Sequence, residues 1–208
     1  MPLIILVMEV SKIHLSSAEI ELIQNAEIIL TKNRVLEKMR ALLEQVQEKQ
    51  IEFVSSNHLD KEMFKISPKI SKGENYLGLP YLILDYPRFS SENNFFFIRT
   101  MFWWGNFFSC TLHLSGNSKE KFNQKIKNSF FQLSHYFISV SNDQWVHHLG
   151  ESDYREIKSM TKNEFDESCN NFNHIKIAGK HPLNEWQNAP SELFENWKLF
   201  LSVCGLIS

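Results

Sequence analysis

Glycine is scarce in this chain: there are seven among 208 residues, with no Gly-x-Gly-x-x-Gly run, no Gly-x-Ser-x-Gly elbow and no phosphate loop. Dinucleotide binding and α/β-hydrolase chemistry therefore lack their usual backbone signatures. Cysteine is scarcer still. Cys110, Cys169 and Cys204 are odd in number and far apart, which argues against a disulfide framework or a zinc ribbon and makes a reducing, cytoplasmic setting the expectation. Arginine supplies five of the 22 basic residues, and the formal net charge is −2. The forked donor suited to phosphates and guanine edges is thus rare, and no net field draws the chain toward polyanions. No nucleic acid and no membrane is expected as a partner.

Long apolar runs are also missing. The segment Pro2 to Val10 is interrupted by Glu9 and is too short to span a bilayer. It has no basic flank before it and no small-residue cleavage site after it, so it reads as a buried strand or short core segment rather than a signal peptide. Hydrophobic content of 43% and charged content of 22% are ordinary for a globular protein, and no linker or repeat divides the chain, so a single globular domain over 1–208 is expected.

What the chain does have is rings. Phe95, Phe96, Phe97, Phe102, Trp103, Trp104, Phe107 and Phe108 crowd around Gly105-Asn106, which reads as a hairpin with large side chains on both faces. A two-residue type II′ turn would pair Trp104 with Phe107, Thr100 with Thr111 and Ile98 with His113. That register places Arg99 on an apolar face with Met101, Cys110 and Leu112, and gathers Ser109, Thr111 and His113 on a mixed face with Trp104, Phe102 and Thr100. Before the hairpin, Leu79 to Tyr86 is an apolar strand bounded by Pro80 and Pro87, and residues 55 to 78 read as an irregular connection.

Helices come next. A Ser16–Glu19 capping box starts a helix at about 17–30; a break at Thr31-Lys32-Asn33 precedes a second at 32–50, with Val35, Met39, Leu42 and Val46 as its stripe. A third follows Ser118, a polar helix lies near 153–169, and Pro190 and Gly205 bracket a C-terminal helix. His135 to Val140 and Gln144 to Leu149 suggest a second hairpin, and His174 to Ala178 a short strand. The expected class is α+β: a mainly antiparallel sheet of about five or six strands built from hairpins, packed by four or five helices.

Arg99 is the sharpest anomaly, because a charge on an apolar face requires a partner. Asp85 on the preceding strand is the first candidate and an anionic ligand the second. The eight histidines carry no metal-ligand spacing: His147 and His148 are adjacent, so on a strand they point apart, and neither metal nor cofactor is expected. Cys110 and His113 lie on opposite faces, and Ser109 and His113 are roughly 13 Å apart along a strand, so neither pair forms a dyad.

The leading functional expectation is a small-molecule-binding protein whose anionic or aromatic ligand sits on the mixed face. Arg99, His113, Thr111, Trp104 and Tyr81 supply the site, with Lys72 and Arg88 near its rim. Two alternatives stand beside it. One is a homodimer formed through the aromatic hairpin; the other is a hydrolase that depends on a histidine, His113 or His147, or on a metal, with Asp85 as acidic partner. Whether the chain is an enzyme stays open at this level.

Overall fold

The computed structural model describes residues 13–59 and 62–207, so the apolar segment 2–10 lies outside the described residues. The chain divides into two compact units, with the boundary between Lys38 and Met39. Among the described residues, five α-helices and one seven-stranded antiparallel sheet make it an α+β protein, with slightly more strands than the sequence suggests. Among the described residues no helix is long and apolar enough to cross a membrane.

Helix α1 (Ser17–Gln24) starts on the expected capping box, with Ser16 Oγ accepting from the Glu19 N–H. The break before α2 (Ala26–Ser56) falls at Asn25, six residues earlier than Thr31. Asn25 ends one helix with its own N–H and starts the next by accepting the Glu27 N–H at 3.1 Å, a role its short carboxamide suits. The remaining helices are α3 (Gly116–Asn128), α4 (Lys162–Asn171) and α5 (Ala189–Val203). Pro190 lies in the first turn of α5, and Gly205 closes it at φ +64°, where a side chain would be strained.

Strands β1 (Lys69–Tyr76), β2 (Leu79–Ser91), β3 (Asn94–Trp103) and β4 (Phe107–Ser115) form a meander, joined by β7 (His174–Pro182), β5 (Phe137–Ser139) and β6 (Tyr154–Glu156) in the order β1-β2-β3-β4-β7-β5-β6. Strand β1 occupies part of the expected irregular connection. Strand β2 passes Pro87 through an irregularity between Asp85 and Arg88, where the missing proline N–H cannot serve the ladder and the Tyr86–Pro87 bond is cis. The expected hairpin over 135–149 is instead β5 followed by a long connection, residues 140–153, and β6 begins only at Tyr154.

The aromatic hairpin forms, but its turn holds three residues. Trp104 N–H donates to Pro80 O of β2 at 3.0 Å, Asn106 N–H donates to Trp103 O at 3.1 Å, and Gly105 adopts φ +71°. The pairs are therefore Trp103–Phe107, Met101–Ser109, Arg99–Thr111 and Phe97–His113. A one-residue shift moves one strand's residues to the other face relative to its partner. Arg99, Thr111 and His113 consequently share a face, while Thr100, Phe102, Cys110 and Leu112 share the opposite one.

That opposite face is the core. Phe96, Ile98, Phe108 and Leu112 are fully buried there, with Phe96 against Phe122 of α3. Trp197 of α5 stacks on Tyr86 (6.2 Å, 8°), meets Phe53 of α2 edge-on, and donates its indole N–H to Tyr86 O at 2.6 Å. Trp197→Ala removes a fully buried ring and orphans that carbonyl, so urea unfolding should show a loss of about 3–5 kcal/mol; a loss under about 1 kcal/mol would contradict this packing.

Candidate functional site

The second face of the sheet carries polar side chains in rows across the strands. Asp85, Arg99 and Thr111 make one row, Phe97, His113 and Lys176 the next, and Ser115 and His174 a third. On β7 the alternation is plain: His174 and Lys176 point to this face, Ile175 and Ile177 to the helices. Residues 144–149 of the long connection lie across these rows. Gln144 Oε1 meets His113 Nε2 at 3.1 Å, Trp145 packs edge-on against the His113 ring at 5.6 Å, and His147 N–H donates to the Tyr76 hydroxyl at 2.6 Å. Tyr76 also meets His148 Nδ1 at 3.1 Å, and Leu149 packs on Met101, Trp103 and Phe107.

The ion pair expected of Arg99 is present. Its Nε and Nη2 donate to the two Asp85 carboxylate oxygens at 2.7 and 2.8 Å, and its Nη1 donates to His147 Nε2 at 3.2 Å. That last bond settles a chain of protons. Arginine only donates, so His147 Nε2 holds a lone pair and the ring proton sits on Nδ1, which faces Lys176 Nζ at 3.2 Å. Lys176, 1% exposed, already donates to the carbonyls of Gln144, at 3.0 Å, and Val146. A neutral amine has two N–H groups and one lone pair, and these three partners use all of them. Burial, and then Arg99, pushes the Lys176 ammonium down to about 7. Burial and then Lys176 bring His113 to about 3, His147 to about 2 and His174 to about 4.

Where residues 140–143 leave the sheet, the third row opens into a cleft of about 730 Å³. Its walls are Asn93 and Phe95 at the β2–β3 turn, Lys119, Glu120 and Asn123 on α3, Asn142 and Gln144 of the connection, and residues 170–174 after α4. Seven carboxamide side chains line it. Lys119 is engaged by the carbonyls of Phe172 and, at 3.2 Å, Asn170. His174 and Asn123, both in its lining, each carry a buried polar atom, His174 Nε2 and Asn123 Oδ1, that has no hydrogen-bond partner among the described residues.

Of the residues proposed from sequence, Arg99, Thr111 and His113 are brought together under the connection, and Tyr81 lies further along the same face beside Tyr76. The others stand apart. Lys72 is exposed and paired with Glu74, Arg88 Nε donates to Ser67 O at 2.7 Å, and the Trp104 ring packs edge-on against Phe102, whose side chain belongs to the helix-covered face. Sequence reasoning missed Lys176, His174, Gln144 and the cleft asparagines. The polar–apolar alternation of His174 to Ile177 carries a legible signal for the first two; the rest join the site through loops. Among the described residues no group of three or more His, Cys, Asp or Glu side chains is placed to hold a metal ion.

No protein-family model, no curated protein and no solved structure matches this chain.

The buried bases make stability depend on pH with a definite sign. Lys176 and the three histidines all have folded-state pKa values below those of the unfolded chain, so the unfolded state binds more protons and stability rises with pH. Lys176 acts between about 7 and about 10.5, the histidines below about 6.5, each with a limiting slope of about 1.4 kcal/mol per pH unit. Above about pH 9 the buried thiols of Cys110, Cys169 and Cys204, and above about pH 10 the tyrosines Tyr76, Tyr86, Tyr136 and Tyr154, all with raised pKa values, reverse the trend. Urea unfolding at about pH 5, 7 and 9 should give stabilities increasing in that order, and Lys176→Met should flatten the upper step. A rise between pH 7 and 9 that survives the substitution would remove Lys176 as its source.

Proposed function

We propose that this protein binds a small polar ligand in the cleft at the end of the polar sheet face. The observation that carries the reading is that two residues lining one cavity, His174 and Asn123, each hold a buried polar atom, Nε2 and Oδ1, without a hydrogen-bond partner among the described residues. A buried polar atom without a partner costs about 1–3 kcal/mol, and a ligand that supplies the missing hydrogen bonds recovers it. The volume lies within the range of small-molecule sites, and Phe95 and Phe172 add apolar wall to a polar lining. The expected Arg99 anchor is engaged by Asp85 and His147, so it acts by holding the connection whose Asn142 and Gln144 form one wall. A thermal-shift screen of small metabolites tests the reading. At about a hundredfold excess over Kd a true ligand should raise Tm by roughly 5–10 °C, and His174→Ala should abolish the shift. Stabilisation that persists unchanged in His174→Ala would place the ligand elsewhere.

The homodimer reading draws on a different observation. The hairpin rings Phe102, Trp103, Phe107 and Phe108 are buried within the chain, whereas Ile20, Leu22, Ile23, Ile28, Ile29 and Leu30 of α1 and early α2 are 41–69% exposed. Apolar side chains at this density suit a second copy of the same helices, the commonest form of association. Light scattering should then report twice the chain mass, reverting to one in Ile23→Ser/Ile29→Ser. A monomer at high concentration would dismiss it.

A further inference from the structure

We infer that the ligand of the cleft is a neutral saccharide, an inference that rests on reading the cleft as a ligand site. Its first support is the hydrogen-bond polarity of the floor. Lys127 Nζ donates to Asn170 Oδ1 at 2.7 Å, which identifies that atom as oxygen, and Asn123 Nδ2 donates to the same oxygen at 3.1 Å. The atom of Asn123 without a partner among the described residues is therefore its carbonyl oxygen, an acceptor that a donor on the ligand would satisfy.

A fully deprotonated oxyanion offers no donor, and any anion would face the Glu120 carboxylate, while the lining ammonium, Lys119, is engaged by two carbonyls. A cationic ligand satisfies Asn123, but it would meet Lys119 as well as Glu120, so the two adjacent lining charges offset each other and favour neither sign. A hydroxyl group donates and accepts at once, as carboxamides do, and it serves His174 Nε2 in whichever role that neutral nitrogen takes. Several hydroxyls on one small frame match several carboxamides around one cavity. The C–H face of a sugar ring, weakly positive, fits the negative face of an aromatic ring, which Phe172 supplies at the wall. A nucleobase needs a slot between two flat faces. Phe95 already stacks on Phe97 at 5.5 Å and 20°, with Trp145 edge-on to it at 5.8 Å.

The test uses the full chain. A glycan array is followed by NMR titration with the sugars it retains, in parallel with inorganic phosphate and adenosine, reading the side-chain amides of the cleft asparagines and the His174 ring. The expected result is saturable binding of a neutral saccharide, insensitive to added salt, that shifts these signals and weakens about tenfold or more in Asn123→Leu. Should that variant fail to fold, Asn171→Ala, exposed on the same wall, takes its place. If phosphate or adenosine shifts the cleft signals and no saccharide does, the saccharide assignment falls and the cleft reading stands. If no probe of any class shifts them, both fall. Saccharide binding that leaves the cleft signals and the variant's affinity unchanged also overturns the inference.

Discussion

Burying ionisable side chains on a sheet is costly unless they meet complementary atoms, and in this protein one connection, residues 140–153, supplies most of those atoms. Arg99, His113 and Lys176 stand on three neighbouring strands and are satisfied by Asp85 and by His147, Gln144 and the carbonyls of Gln144 and Val146. The arrangement works in both directions. The sheet holds an otherwise irregular segment in one conformation, and the segment keeps water from the sheet. Each partner is matched in donor and acceptor sense, down to a lysine whose neutral form fits its three neighbours.

The two faces of the sheet thus follow different physics. Toward α2, α3 and α5 the packing is apolar and aromatic, with Trp197 tying α5 to Tyr86 and to Phe53. Toward the connection, hydrogen bonding is nearly complete, and that completeness is what makes an exception informative. His174 Nε2 on that face and Asn123 Oδ1 on neighbouring α3 are without a partner among the described residues, and both residues line the cleft at the end of the face. The polar layer is structural along most of its length and becomes a candidate binding surface only at that end.

Much of this was legible in residue order. The capping box at Ser16, the Pro190–Gly205 bracket and the α+β class depend on local chemistry and appear where the pattern puts them. The Arg99–Asp85 pair was also readable, because a charge beside an apolar strand needs a partner and Asp85 stands on the preceding strand. The expected site came out divided. Register assigned from a two-residue turn separated Arg99 from Thr111 and His113, and the observed three-residue turn reunites them. The break between α1 and α2 was displaced for a similar local reason: Asn25 caps better than Thr31, whose hydroxyl bonds back to Glu27 inside the helix.

By itself, the sequence determined the periodic elements, the helix ends and the demand for a partner at Arg99, since each follows from neighbours a few residues apart. Only the tertiary structure decided which polar groups share a face, that His147 and Lys176 exchange a proton-bearing hydrogen bond 29 positions apart, and that asparagines from four separate segments meet around one cavity. The physical reason is that strand pairing has a period of two. One residue more or less in a turn, set here by Trp104 bonding to Pro80 of a third strand, exchanges the two faces, and no local pattern reports that bond.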